Sequence, residues 1–256
     1  MAEVTLDFGR LEELERRGYT VLDAVTPDGR ASGSTHSRPT AFLCIDAHVY
    51  WTKGSAQQGL VAELIAGRLA ARLGAGPIAR IVRVPVELTG PGGQPDQVGV
   101  LVGSLDVEDS MNARDLNTLG ASLPSKGIDA PSRARVVAFQ TWLGIGDAQV
   151  LVRLTDGFVF SIDHGDAFGD LSVSTDPSLV VTDIPGVASD VGGRRGDISP
   201  AVAAIQAVTD RELIEAVAQI PSGAAWRSEL TRRKNIVAYL AHRRDRLKEV
   251  MATWAQ

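Results

Sequence analysis

The feature that most constrains the fold is a helical segment predicted at 57–73, because it interrupts a series of short β-rich runs. Leu60 and Leu64 fall on one face of this helix, and a stretch rich in glycine and proline at 74–77 stops it. Three β-rich runs precede the helix at 19–25, 41–45 and 49–52, and two follow it at 79–88 and 97–102. This order predicts a small antiparallel sheet that carries one helix.

The second half of the chain predicts helices around one hairpin. Two β-rich runs, 149–154 and 158–162, flank an Asp-Gly dipeptide that is typical of a hairpin turn. The polar stretch 163–200 shows little periodicity, which indicates either a functional loop or a partly disordered one. The other segments have helical patterns, at 132–143, 200–208, 210–218 and 222–255, with a short helix before Gly18 at the start.

Composition excludes several classes of protein. The 256 residues include 26 Lys and Arg and 31 Asp and Glu, and the formal net charge of −5 argues against a general nucleic-acid-binding protein. The single cysteine, Cys44, excludes an internal disulfide, and the four histidines lack the spacing of a zinc site. No apolar run approaches the roughly 20 residues of a membrane span. We therefore expect a soluble, unexported, cytoplasmic protein without a membrane span.

The last predicted helix contains several arginines. Apolar residues such as Ile236 and Leu247 fall at helical spacing, and most of the arginines fall away from them. We interpret these arginines as a solvated basic face on a docked helix. They are Arg232, Arg233, Arg243, Arg244 and Arg246.

Lys53 ends a predicted strand, and Glu63 follows ten positions later on the predicted helix. A strand lysine can reach nucleotide phosphates when a carboxylate from a neighbouring helix fixes its ammonium group. Gly67 and Ala70 share the face of Glu63, so that face is small enough to approach a sheet closely. The alternative is an exposed lysine and an exposed glutamate with no common role.

The polar loop 33–39 precedes the second predicted strand. It exposes hydroxyl and backbone N–H donors that can cover phosphates, although it matches neither the Walker A nor the G-x-G-x-x-G pattern. A plain surface loop is the alternative. Its candidate donors are Ser34, Thr35, His36 and Ser37.

Two aspartates frame the predicted hairpin. Asp147 lies in a glycine-containing turn before the first strand, and Asp163 follows the second strand, so the hairpin brings both to one end. In phosphoryl transfer, the first carboxylate would orient and deprotonate a hydroxyl group, and the second would hold Mg²⁺ against the nucleotide phosphates. The alternative is two aspartates that only cap strands.

Taken in chain order, these motifs resemble the protein-kinase-like superfamily. Leu143-Gly-Ile-Gly-Asp147 and Ile162-Asp-His-Gly165 are similar to the catalytic loop and the metal-binding loop of HipA-like kinases and phosphoinositide lipid kinases. The run from Lys53 through Glu63 to Pro77 resembles the lysine strand and following helix of HipA-like kinases. The resemblance extends over most of the chain, from about 33 to 247.

The resemblance implies an α+β, two-lobed protein-kinase-like fold that binds ATP and Mg²⁺. A sheet lobe with one helix would occupy 1–103, and a mainly helical lobe carrying the hairpin would occupy 104–256. Asp147 would be the catalytic aspartate and Asp163 the Mg²⁺ ligand, with Asp166 a neighbouring carboxylate without an assigned role. The implied nucleotide-binding residues are Lys53 and its partner Glu63, the loop residues Ser34, Thr35, His36 and Ser37, and the hinge residues Leu101, Val102 and Gly103.

The chain departs from the family pattern at the second metal ligand. The family has asparagine five residues after the catalytic aspartate, and this chain has Val152, which cannot coordinate Mg²⁺. The next residue after the aspartate, often basic or histidine in the superfamily, is Ala148. Gln149 offers only an amide oxygen, whereas Mg²⁺ prefers carboxylate oxygens.

Three functions remain open at this point. The first is a HipA-like kinase that transfers the γ-phosphoryl group of ATP to a protein Ser or Thr hydroxyl, including those of its own loop at 33–39. The second is a pseudokinase, a nucleotide-binding regulatory or interaction module whose catalysis is impaired because of Val152. Phosphorylation of a small molecule or a lipid is a third possibility, because the loop 166–200 would choose the substrate.

Overall fold

The structure mixes helices and strands, as the sequence predicts. This computed structural model describes residues 6–31, 40–53, 59–89, 98–113, 115–116, 127–168, 196–222 and 226–252. In chain order the elements are α1 (Phe8–Arg16), β1 (Leu22–Ala31), β2 (Thr40–Cys44), β3 (Val49–Lys53), α2 (Leu60–Leu73), β4 (Ala79–Val84), β5 (Gly99–Leu105), β6 (Ser110–Asn112), α3 (Ala130–Leu143), β7 (Gln149–Arg153), β8 (Val159–Ile162), α4 (Ser199–Gln206), α5 (Asp210–Val217) and α6 (Leu230–Val250).

The first five strands form a closed barrel in the order β1–β2–β3–β5–β4. Four of the pairings are antiparallel, as predicted, but β1 and β4 pair in parallel and close the barrel at Leu22↔Val82 and Asp23↔Arg83. An ion pair of 2.6 Å between Arg83 Nε and Asp23 Oδ1 accompanies this closure. The expectation of an antiparallel sheet was therefore wrong at this edge, where sequence periodicity carries no information on which strands meet.

A second sheet has the order β6–β7–β8. The hairpin of β7 and β8 lies as predicted, and Gln149 pairs with Ile162 at its open end. The strand β6, for which the sequence predicts no counterpart, pairs Met111 with Val152. Three residues are too few to show a strand periodicity, so only the partner strand reveals β6.

The described residues form two apolar clusters. One fills the barrel and includes Phe42, Tyr50 and Leu101. The larger one joins α1 and α2 to the hairpin and to the C-terminal helices, and its members include Trp142 and Leu240. The helix α2 therefore contributes to the core of the helical part, although its sequence position lies among the barrel strands.

Both ends of α2 touch the hairpin and the residues after it. A Cβ atom on Gly59, which has a φ of +92°, would lie 2.0 Å from the carbonyl oxygen of Gly165. At the other end, the Ser161 backbone N–H donates to the Ala75 carbonyl oxygen over 2.7 Å. In the middle, a Cβ atom on Gly67 would lie 2.4 Å from Ala79 Cβ, so the predicted close approach of this face to a sheet is confirmed.

The arginines of α6 do not form a solvated face. Arg233, Arg243 and Arg244 are buried, whereas Arg246 is exposed. The guanidinium of Arg243 donates to the carbonyl oxygens of Trp142, over 2.7 Å, and Thr141 at the end of α3. Carbonyl groups in the last turn of a helix lack partners within the helix, and the buried arginine supplies one.

Within the described ranges, no helix has the length and the apolar character that crossing a membrane requires.

Candidate functional site

Lys53, Glu63 and Asp163 meet at one end of the barrel. Lys53 is the last residue of β3, Glu63 lies in the first turn of α2, and Asp163 directly follows β8. The Lys53 ammonium group donates to Glu63 Oε2 over 2.7 Å and to Asp163 Oδ1. Glu63 is almost completely buried, and the Lys53 side chain is only 18% exposed. The structure thus brings together three of the residues that the sequence selected.

Burial and charge act in opposite directions on this cluster. Burial alone would raise the pKa of Glu63, but the charge of Lys53 and the hydrogen bond from His164 hold it well below its ordinary value. Burial alone would likewise lower the pKa of Lys53, and the charges of Glu63 and Asp163 raise it instead. Both groups are therefore charged at neutral pH.

His164 also holds Glu63 in place, by a hydrogen bond to the oxygen that Lys53 contacts. Its backbone N–H donates to Glu63 Oε2 over 2.8 Å, and its buried ring stands edge-on to Phe139. The ring Nε2 lies 2.8 Å from Ser161 Oγ, which also accepts a 2.9 Å hydrogen bond from Gln140 Nε2. Neither Ser161 nor Gln140 was predicted to have a role. The available signal was a polar residue within each of two otherwise apolar segments.

Gln149 contacts the second oxygen of Asp163. Its amide Nε2 donates to Asp163 Oδ2 over 2.9 Å, while Asp163 Oδ1 accepts from Lys53. The Gln149 backbone is fixed as well, because its carbonyl oxygen accepts from Gln140 Nε2 over 3.1 Å. Asp163 has a φ of +56°, a conformation that aspartate tolerates better than most residues. Both carboxylate oxygens of Asp163 are therefore engaged.

Asp147 lies exposed in the turn before β7. Asp166 holds this turn, because its Oδ2 accepts from the backbone N–H groups of Gly146, over 2.9 Å, and Asp147, over 2.7 Å. No role was predicted for Asp166, and it fixes the loop of the candidate catalytic aspartate.

The residues after Asp147 are part of the core. Ala148 is 7% exposed and Val152 is completely buried, in a strand that pairs with both β6 and β8. An apolar side chain therefore fills the position where the resemblance implies a second metal ligand.

Leu101, Val102 and Gly103, the candidate hinge residues, lie inside β5. This strand pairs with β3 and with β4 at these positions, and Val102 is opposite Lys53. Their backbone groups are thus committed to the barrel. The connection from the barrel to the second sheet begins after Leu105, at Asp106, whose carboxylate accepts from the Trp51 indole over 2.7 Å.

Some predicted site residues lie outside the described residues. Ser34, Thr35, His36 and Ser37 fall in 32–39, and most of the candidate substrate loop falls in 169–195.

The donor set does not fit the pair of metal ions that kinase-type transfer uses. Mg²⁺ takes octahedral oxygen ligands and is commonly bound by one or two carboxylates together with substrate phosphates. No group of three or more His, Cys, Asp or Glu side chains arranged to hold a metal occurs in the described part of the chain. Asp163 is the single carboxylate at the expected place, and Lys53 and Gln149 already contact both of its oxygens.

No family model matches the chain, and no curated protein matches it. Among solved structures, it is similar to the proinflammatory kinase CtkA of Helicobacter pylori, at 11% identity and a TM-score of 0.45, over 91% of this chain and 96% of that one. It is similar also to the Golgi casein kinase with Mn/ADP bound, at 12% identity and a TM-score of 0.45, over 96% of this chain and 76% of that one. A second structure of the Golgi casein kinase gives 12% identity and a TM-score of 0.43, over 95% and 75%. At such values the likeness is no ground for assigning an activity, and the proposals that follow rest on contacts within this chain.

Proposed function

We propose that this chain binds a nucleoside triphosphate at Lys53 and acts as a pseudokinase, a nucleotide-binding regulatory or interaction module of protein-kinase type. The observation that supports this most is the buried lysine held between Glu63 on α2 and Asp163 after β8. An ammonium group has three N–H donors, so two carboxylates still leave one donor for a phosphate oxygen. In a chain of net charge −5, such a local cation is what an anionic ligand requires.

The base of the nucleotide would lie beside the connection that begins at Asp106. Lys53 is opposite Val102, and Leu105 is three residues further along β5, about 10 Å away in an extended strand. We therefore place the hinge and the boundary between the two lobes at 106–109, a few residues after the boundary that the sequence indicated at 103.

A second candidate function is transfer of the γ-phosphoryl group to a protein Ser or Thr hydroxyl. The observation in its favour is Asp147, which Asp166 holds in an exposed turn as a general base would need. In such a reaction Asp147 would orient the hydroxyl group and accept its proton, and Lys53 would contact the phosphates. The burial of Ala148 and Val152 favours the first function over this one.

The experiment measures ATP binding by calorimetry and phosphate transfer with radiolabelled ATP. We expect the unmodified chain to bind ATP and Lys53→Met to weaken binding by about 100-fold, because an ammonium–phosphate contact in a partly buried site is worth a few kcal/mol. Lys234→Met is the matched control, because Lys234 pairs with Glu12 and contacts none of the site residues.

The outcomes separate the candidates. Binding without label on the chain or on a lysate supports the pseudokinase. Label that disappears in Asp147→Asn would establish the kinase instead. Absence of ATP binding, or binding that Lys53→Met leaves unchanged, contradicts both.

A further inference from the structure

Gln149 occupies the place on Asp163 where a metal ion would bind. Its amide nitrogen lies 2.9 Å from Asp163 Oδ2, and the other oxygen of the same carboxylate accepts from Lys53. An amide oxygen turned toward Asp163 would face a second acceptor across the same distance, so the N–H orientation is the one that the carboxylate favours. Each oxygen of the Asp163 carboxylate thus accepts a hydrogen bond without a metal ion.

The amide is held in this position by the fold. Gln149 pairs with Ile162 in the ladder between β7 and β8, and its carbonyl oxygen accepts from Gln140. Gln140 is itself completely buried in α3 and bonds Ser161 as well. The fold therefore fixes the Gln149 backbone beside Asp163, and the side chain needs only to extend to donate its hydrogen bond.

The neighbouring positions give a metal ion no further ligand. Val152, at the place of the second ligand, is completely buried between β6 and β8. A divalent cation at Asp163 Oδ2 would have to displace or share the Gln149 hydrogen bond, and the buried Val152 offers it no oxygen.

We propose that the site takes its nucleotide without a divalent cation, with the Gln149 amide hydrogen-bonded to Asp163 at the oxygen that a cation would contact in metal-dependent kinases. The inference rests on the proposed nucleotide binding and adds the form in which the ligand is bound. The neutral amide leaves the charge of Asp163 in place, so the Lys53 ammonium group, which also faces Glu63, must contact the phosphates directly.

The experiment measures the dissociation constant of ATP by calorimetry in excess EDTA and again in excess MgCl₂. We expect the two values to agree within about threefold, which is under 1 kcal/mol. Because no transfer is needed for this readout, an inactive protein is measured equally well. In parallel, Mn²⁺ relaxation of water protons should show no ternary complex of protein, ATP and Mn²⁺.

Gln149→Glu is the decisive variant, because it keeps the side-chain shape and replaces the donor by a second carboxylate. We expect its ATP affinity in EDTA to fall and MgCl₂ to restore binding by about tenfold or more, since two carboxylates form the ligand pair that Mg²⁺ prefers. Gln206→Glu adds the same charge at an exposed position near the end of α4 and serves as the matched control.

The possible failures are distinguishable. If MgCl₂ strengthens ATP binding to the unmodified chain by tenfold or more, metal-free binding is wrong while nucleotide binding stands. If ATP binds in neither buffer, the proposed function itself fails. If Gln149→Glu binds ATP like the unmodified chain in both buffers, Gln149 does not take the place of the cation, and the inference is wrong.

Discussion

Two regions of the hairpin segment differ in chemistry: the surroundings of Asp163, after β8, and the strand β7. Around Asp163, every charged group has a partner, and Lys53 and Glu63 are mostly buried. Ala148, just before β7, and Val152, inside it, pack into the core. The comparison shows two ways in which the fold accommodates this segment: charged side chains satisfy one another near Asp163, and apolar side chains fill the core along β7.

The largest expected effect comes from breaking the buried pair. Glu63→Ala should lower the free energy of unfolding by about 3–5 kcal/mol, because it leaves a buried ammonium group with one partner fewer and removes the acceptor of the His164 N–H. The measurement is urea unfolding followed by circular dichroism. The double variant Lys53→Met with Glu63→Leu should lose much less, because an apolar pair can replace a buried ion pair. A double variant as unstable as the sum of the single ones would contradict this coupling.

The apolar region along β7 should not tolerate an asparagine at position 152, the residue that the kinase resemblance implies there. Val152→Asn places an amide at a completely buried position, and we expect a loss of about 1–3 kcal/mol in unfolding free energy with no gain in phosphate transfer. Val152→Thr is the control, because it keeps the branched shape and adds a single hydroxyl group. If Val152→Asn is stable and transfers label from ATP, the position is a vacant ligand site rather than part of the core.

The smallest expected effect is on the pH dependence of stability, which should involve Glu63 and not position 152. Because the pKa of folded Glu63 lies below its ordinary value of 4.5, its contribution to stability is complete above that pH and is lost as the pH falls further. The difference in unfolding free energy between the unmodified chain and Glu63→Gln should therefore shrink below pH 4.5, by at most about 1.4 kcal/mol per pH unit. The raised pKa of Lys53 moves its own loss of stability above its ordinary value of 10.5.

The measurement is urea unfolding of the unmodified chain and of Glu63→Gln from about pH 3 to about pH 8, a range that covers the titration of carboxylates. Val152→Thr should run parallel to the unmodified chain throughout, because position 152 carries no titratable group. A constant difference between Glu63→Gln and the unmodified chain across acidic pH would show that Glu63 does not carry the depressed pKa.

Local patterns predicted much of the fold. The helix α2 and the hairpin of β7 and β8 lie close to their predicted bounds, because glycine stops and an Asp-Gly turn act within a few residues. The parallel pairing of β1 with β4 and the short β6 were missed, because both depend on a partner distant in sequence. The burial of Arg243 was missed for the same reason, since the carbonyl groups that it contacts belong to α3.

The candidate site divides in the same way. The sequence selected Lys53, Glu63 and Asp163, because a charged residue at a strand end or in an apolar helix is conspicuous by itself. It could not predict that Gln149 donates to Asp163, since that contact requires the register of the hairpin. The contact between Asp166 and the turn of Asp147 likewise depends on the tertiary fold.

The contacts at both ends of α2 have a mechanical consequence. Gly59 meets Gly165, and Ala75 bonds Ser161, so the helix is tied to the hairpin before its first turn and after its last. The helix that carries Glu63 is therefore held at both ends, and we expect the 2.8 Å hydrogen bond from the His164 N–H to Glu63 Oε2 to change little when a ligand binds beside Lys53.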